Sequence, residues 1–145
     1  MKKLAIIPAY NEKQSIIFTV EDIKKNAPDF DYIIINDCST DNTMDICRYQ
    51  GYNVLNLPIN LGIGCAVQTG YLYAYNHGYD IAVQFDGDGQ HKAEYLNAMV
   101  DCLVDNDLDM VIGSRFIDNA GFQSTFLRRI GIHYFTILIK LLSGK

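Results

Sequence analysis

Four short stretches hold most of the side chains able to do chemistry. Asp86-Gly87-Asp88-Gly89-Gln90-His91 sets two carboxylates two residues apart, among glycines that permit a tight turn. Hard oxygens so spaced can share one divalent cation and leave positions open for substrate phosphates. A solvated Asp-Gly loop has the same spelling, so the position of the stretch in the fold must decide between the two. Asn36-Asp37-Cys38-Ser39-Thr40-Asp41-Asn42-Thr43 offers Asp37 as an acceptor for the N–H groups of a nucleotide base, while Ser39, Thr40 and Asp41 suit the start of a helix. Pro8-Ala9-Tyr10-Asn11-Glu12 supplies an aromatic face for a base or ribose and a carboxylate for ribose hydroxyls, and equally fits a polar helix start. Asn60-Leu61-Gly62-Ile63-Gly64 places two glycines near a helix start, where main-chain amides can approach a ligand. It lacks the third glycine of the dinucleotide fingerprint and does not follow the first strand, which disfavours a Rossmann dehydrogenase.

These stretches need elements to hold them. Short apolar runs at 4–7, 32–35, 54–57, 81–85 and 110–112, rich in β-branched residues, read as strands buried on both faces. Helix-period segments alternate with them. Ile16, Val20 and Ile23 share a face that stops before Pro28; a second helix follows Ser39-Thr40-Asp41 and ends before Gly51. A third runs from about Gly64 to His77 with Gly78 as its stop, and a fourth groups Leu96, Val100 and Leu103. This alternation predicts an α/β fold, a mostly parallel central sheet with helices on both faces. Ligands in such folds bind beyond the carboxyl ends of the strands, where three of the four stretches lie.

Composition bounds the rest. With 145 residues, 49% hydrophobic and 20% charged, the chain has the size and content of a globular domain. Its net charge of −5 argues against sequence-independent nucleic-acid binding. The charge is split: residues 1–113 carry 7 basic and 16 acidic side chains, and residues 114–145 carry 5 basic and 1 acidic. Accordingly, residues 1–113 are expected to form an acidic, ligand-binding core and 114–145 a separate basic, apolar region. Within the latter, Arg128, Arg129 and Lys140 accompany Phe135, Ile139 and Leu142 in a segment too short to span a bilayer. Residues 126–145 suit a helix at a membrane surface, and suit equally an amphipathic helix packed on the domain. Cys38, Cys47, Cys65 and Cys102 have neither zinc nor redox-pair spacing, so free thiols in a reducing cytoplasm are expected, at the cytoplasmic face of the membrane if the segment docks there. The apolar run after Met1-Lys2-Lys3 is cut by Pro8, which leaves no export signal.

Taken in order, the four stretches resemble family 2 glycosyltransferases of the GT-A fold, a Rossmann-like nucleotide-sugar-binding architecture. Gly113-Ser114-Arg115-Phe116 resembles the segment that follows in the dolichyl- or polyprenyl-phosphate sugar transferase branch. The resemblance implies that Pro8, Tyr10, Glu12 and Asp37 contact the base and ribose of a UDP-, GDP- or dTDP-sugar. It implies that Asp86, Asp88 and Gln90 surround Mg²⁺ or Mn²⁺ and the diphosphate. Arg115, Arg128 and Arg129 resemble basic positions facing an acceptor phosphate, with Arg115 joining Asp86 and Asp88 in catalysis. A phosphate monoester is largely anionic at neutral pH and needs no general base, which favours a lipid-phosphate acceptor in a chain offering no convincing base outside the metal loop. Asn36 and Cys38 stand where many relatives have Asp and Gly. Relatives also continue with an Asp-x-x-Ser-Gly-Phe-Arg-like segment without counterpart here, which implies an incomplete active site that binds donor without turnover. Two alternatives stay open: a soluble or polysaccharide hydroxyl acceptor, and a non-catalytic nucleotide-sugar-binding module. A nucleotidyltransferase would need a Gly-rich basic stretch after the first strand, which Pro8 to Glu12 does not supply.

Overall fold

The computed structural model describes residues 1–113, 133–136 and 140. The chain divides into two compact units, Met1–Val111 and Ile112–Lys145. Within the first, β1 (Lys3–Ala9), α1 (Ile16–Asn26), β2 (Phe30–Asn36), α2 (Thr43–Tyr49), β3 (Val54–Asn56), α3 (Ile63–Asn76), β4 (Ile81–Gln84) and α4 (Leu96–Asp105) follow in order, with a 3-10 turn at Ala93–Tyr95. The strands form one sheet in the order β3-β2-β1-β4. Every pairing is parallel.

Side chains alternate across the central strand. Leu4 and Ile6 face one core, with Ile33, Ile35, Ala66 and Ala74. Ala5, Ile7 and Ala9 face the other, with Ile16, Val20, Ile23, Cys47, Leu96 and Val100. Burying each of the branched side chains of α1 contributes about 2 kcal/mol. Order and handedness explain why α3 stands apart. The chain steps outward from β1 to β3, then α3 carries it back across the sheet to β4 on the far side of β1. Parallel crossovers are right-handed, so reversing the direction of travel moves the connecting helix to the opposite face.

The approach of α3 to the sheet depends on one glycine. A Cβ at Gly70 would lie 2.2 Å from Ile6 Cγ2, and Ile6 is itself fully buried. Gly70→Ala is therefore expected to destabilise the fold by about 2 kcal/mol, since neither the helix nor the central strand can retreat without opening the core. A denaturant midpoint unchanged from the parent would contradict this packing.

The fifth expected strand does not form. Residues 110–112 have no regular structure, and Met110 and Ile112 are 72% and 78% exposed. So short a run becomes a strand only by pairing with a sheet edge, and among the described residues this one makes no ladder. Leu103, expected beside Leu96 and Val100, is half-buried. Of the expected helix at 126–145, residues 133–136 and 140 are described and helical, with Tyr134 and Phe135 exposed. Among the described residues no helix is long and apolar enough to cross a membrane.

Candidate functional site

The reversal of strand order falls between β1 and β4, and a cleft of about 180 Å³ opens at their carboxyl ends. Pro8, Ala9, Tyr10 and Glu12 line it from β1 and its following loop. Asp86, Gly87 and Asp88 line it from the loop after β4, Asp37 from the end of β2, and Ile63 and Ala66 from α3. All four stretches, from distant parts of the sequence, thus meet in one place, at the crevice where parallel α/β sheets bind ligands.

The Asp86 loop is fixed from below. The Phe85 N–H donates to Ile6 O at 2.8 Å, extending the β1–β4 ladder to the residue before Asp86. The buried Thr19 hydroxyl of α1 donates to Gly87 O at 3.2 Å. A Cβ at Gly87 would lie 3.1 Å from Pro8 O, so this glycine lets the loop lie directly against the end of β1. Gln84 Nε2 donates to Asp86 Oδ1 at 2.7 Å, while the Gln90 N–H donates to Asp88 Oδ1 at 2.9 Å and closes a turn. His91 folds back onto the loop. Its Nδ1 accepts from the Asp86 N–H at 3.4 Å and its Nε2 lies 3.6 Å from Asp86 Oδ2, against the Phe85 ring in an edge-on contact. The tautomer with hydrogen on Nε2 fits both contacts.

Asp37 is 3% exposed and engages the protein itself. Its two carboxylate oxygens accept from the main-chain N–H groups of Leu61 and Gly62, each at 2.8 Å. Sequence reasoning assigned this carboxylate to a base and left those amides for a ligand. The two meet each other here, and the clasp holds the loop that leads into α3, while Asp37 also lines the cleft. The Ser15 hydroxyl donates to Glu12 Oε2 at 2.6 Å, which steadies the Glu12 side chain at the start of α1. Tyr10 is 46% exposed, with a ring face available for stacking.

Asp41 lies in the loop between β2 and α2. It accepts from the Thr43 N–H at 2.9 Å and from the Thr43 hydroxyl. Partial burial pushes its carboxyl upward, but the Thr43 hydroxyl and N–H, with the Lys13 N–H, outweigh this and hold it below the ordinary aspartate value.

The expected site residues Pro8, Tyr10, Glu12, Asp37, Asp86 and Asp88 come together in the cleft. Gln90 does not line it. Arg115, Arg128 and Arg129 lie outside the described residues. Sequence reasoning missed Thr19 and Asn11, whose contacts run to Gly87 and to Thr40 and Asp41. The available signal for Asn11 was its residue type directly after a strand, since asparagine tolerates the left-handed turn that ends one.

The cleft's described lining carries four carboxylates and no lysine or arginine. Among the described residues no three His, Cys, Asp or Glu side chains gather to enclose a metal. Asp86 and Asp88 supply the hard carboxylate oxygens that a divalent cation takes alongside water and ligand phosphates.

The chain is similar to known proteins in sequence and in fold. The undecaprenyl-phosphate mannosyltransferase of Micrococcus luteus is 32% identical over 120 residues, covering 79% of this chain and 49% of that protein. S. aureus TarS 1-349 in complex with UDP superposes with a TM-score of 0.66 at 22% identity, covering 86% of this chain and 38% of the other. The mannosyltransferase PcManGT from Pyrobaculum calidifontis, in complex with GDP-Man and Mn²⁺, gives a TM-score of 0.61 at 20% identity over 70% of this chain and 32% of the other. These structures show the shared GT-A fold. The chain spans about half the length of the curated relatives it matches. The profile described as Glycosyl transferase family 2 matches residues 4–144, nearly the whole sequence, and the chain belongs to that family.

Proposed function

We propose that this chain is the donor-binding part of an inverting, cation-dependent glycosyltransferase, one that moves a sugar from a UDP-, GDP- or dTDP-sugar onto a polyprenyl phosphate. The observation that carries the proposal is the cleft at the switch point of the sheet, where Tyr10 and Glu12 on one side meet Asp86 and Asp88 on the other. The relative from Micrococcus luteus, whose name specifies undecaprenyl phosphate, supports the acceptor class.

The charge of the cleft defines its chemistry. Four carboxylates repel a diphosphate, and a divalent cation, which Asp86 and Asp88 would hold, would offset that repulsion. Bound Mg²⁺ or Mn²⁺ supplies neutralisation of the nucleoside diphosphate as it leaves. The protein's own tasks are positional. Tyr10 offers its ring to the base or ribose, the unbonded Glu12 oxygen accepts from ribose hydroxyls, and Asp37 keeps the 61–62 segment and Ile63 in the wall. Gln90, whose N–H donates to Asp88 Oδ1, holds the turn that presents that carboxylate. The acceptor oxygen attacks the anomeric carbon opposite the departing diphosphate, which inverts that carbon. An acceptor phosphate is already anionic near neutral pH, so the cleft needs no general base, and Arg115, Arg128 and Arg129 supply the countercharge on the acceptor side. A lipid acceptor places this chemistry at the cytoplasmic face of a membrane.

Calorimetric titration of UDP, GDP and dTDP into the chain, each with Mn²⁺ and with chelator, tests the proposal. Binding of one nucleotide that weakens on chelation is the expected result. Failure of all three to bind a folded sample would refute the donor site.

A further inference from the structure

The β1–β2 ladder ends at the hydrogen bond from the Asp37 N–H to Ala9 O. Beyond it, two chain segments that both border the cleft must be held together by other means. Two residues there occupy the left-handed region that side chains rarely adopt, Asn11 at φ 61 and Cys38 at φ 55. The strained turn at Asn11 aims its side chain across the gap. Asn11 Oδ1 accepts from the Thr40 N–H at 2.8 Å, the Asp41 N–H at 3.2 Å and the Thr40 hydroxyl at 3.2 Å. In return the Asn11 N–H donates to Ser39 Oγ at 3.0 Å. The relay continues inward, with the Ser39 hydroxyl donating to Asn36 Oδ1 and Asn36 Nδ2 donating to Asn56 Oδ1.

Each link passes its hydrogen in the same direction, from the loop after β1 through the ends of β2 and β3. Bonds so aligned polarise and strengthen one another. Asn36 is 1% exposed, and its amide accepts from Ser39 while donating to Asn56.

We propose that Asn11 is the positioning residue of the nucleotide pocket. Its side-chain carbonyl locks the loop after β1 to the loop after β2, so that Tyr10 and Asp37 share one cleft. This inference rests on the donor-site reading above, and adds to it the residue that sets the pocket's width without touching the ligand.

Asn11→Gly separates positioning from folding, because glycine accepts the left-handed turn while removing the acceptor. Asn11→Asp keeps an acceptor oxygen and tolerates the same turn. Both variants and the parent chain would be titrated with UDP, GDP and dTDP in Mn²⁺ and in chelator, with melting temperature and amide exchange at Thr40 and Asp41 followed in parallel. The glycine variant is expected to exchange both amides faster and to bind nucleotide about tenfold more weakly, by the same factor with and without cation, at an unchanged melting temperature. The aspartate variant should recover most of that loss. Parent-like affinity in the glycine variant would overturn the proposal, as would an affinity loss no larger than its unfolded fraction. If the parent binds none of the three nucleotides while the exchange at Thr40 and Asp41 still responds, the clamp exists but the donor-site reading fails, and the inference falls with it.

Discussion

An Asp88→Ala chain is expected to lose cation-dependent nucleotide binding by about 100-fold while remaining as stable as its parent. The carboxylate is exposed, and the bond it accepts is from the Gln90 N–H two residues on. Its removal opens no cavity and costs less than about 0.5 kcal/mol of folding free energy. The proposed cation site, by contrast, depends on it. With Asp86 already accepting from Gln84 and adjoining His91, loss of Asp88 leaves a cation one loop carboxylate in place of two. Titration in Mn²⁺ reads the effect directly, and an unchanged Kd would remove Asp88 from the cation site.

Asp37→Ala differs in kind. The Leu61 N–H loses its acceptor and the Gly62 N–H keeps only Asn60 Oδ1 at 3.2 Å, a cost of about 2 kcal/mol to the fold. The 61–62 segment is released, and with it Ile63 in the cleft wall, so nucleotide binding weakens in chelator as well as in Mn²⁺. Asp37→Asn keeps one acceptor but turns its amide hydrogens toward the second N–H, and its stability should fall between the two. Chemical denaturation with titration in both buffers checks the pair. Loss confined to the cation-dependent part of binding would mean that Asp37 acts on the metal loop and not on the wall.

The contrast between these two aspartates marks what could be seen in the sequence. Asp88 was legible because its environment is local: a strand, two glycines and a second carboxylate two residues away. The same holds for β1, β2, β3 and β4, whose apolar runs were self-evident, and for α1, whose face ends at Pro28. Asp37 was legible as important but not in its contacts. Its partners lie 24 and 25 residues away in a loop whose path only the folded chain defines. Asn11 was missed for the same reason, since its side chain spans 29 and 30 residues to Thr40 and Asp41. The absent strand at 110–112 is the converse. Its residues have the composition of a strand, but a ladder partner is a property of the sheet, and composition does not supply one.

The clasp at Asp37 grips its loop through main-chain hydrogens alone. A grip of that kind is indifferent to which side chains the loop displays, apart from Gly62, held at φ 84. Ile59 and Leu61 accordingly point outward, 59% and 48% exposed, while the backbone beneath them stays anchored. Scaffold and display are thus separable. Positions 59 and 61 can be re-lettered without any renegotiation of the core that supports this loop.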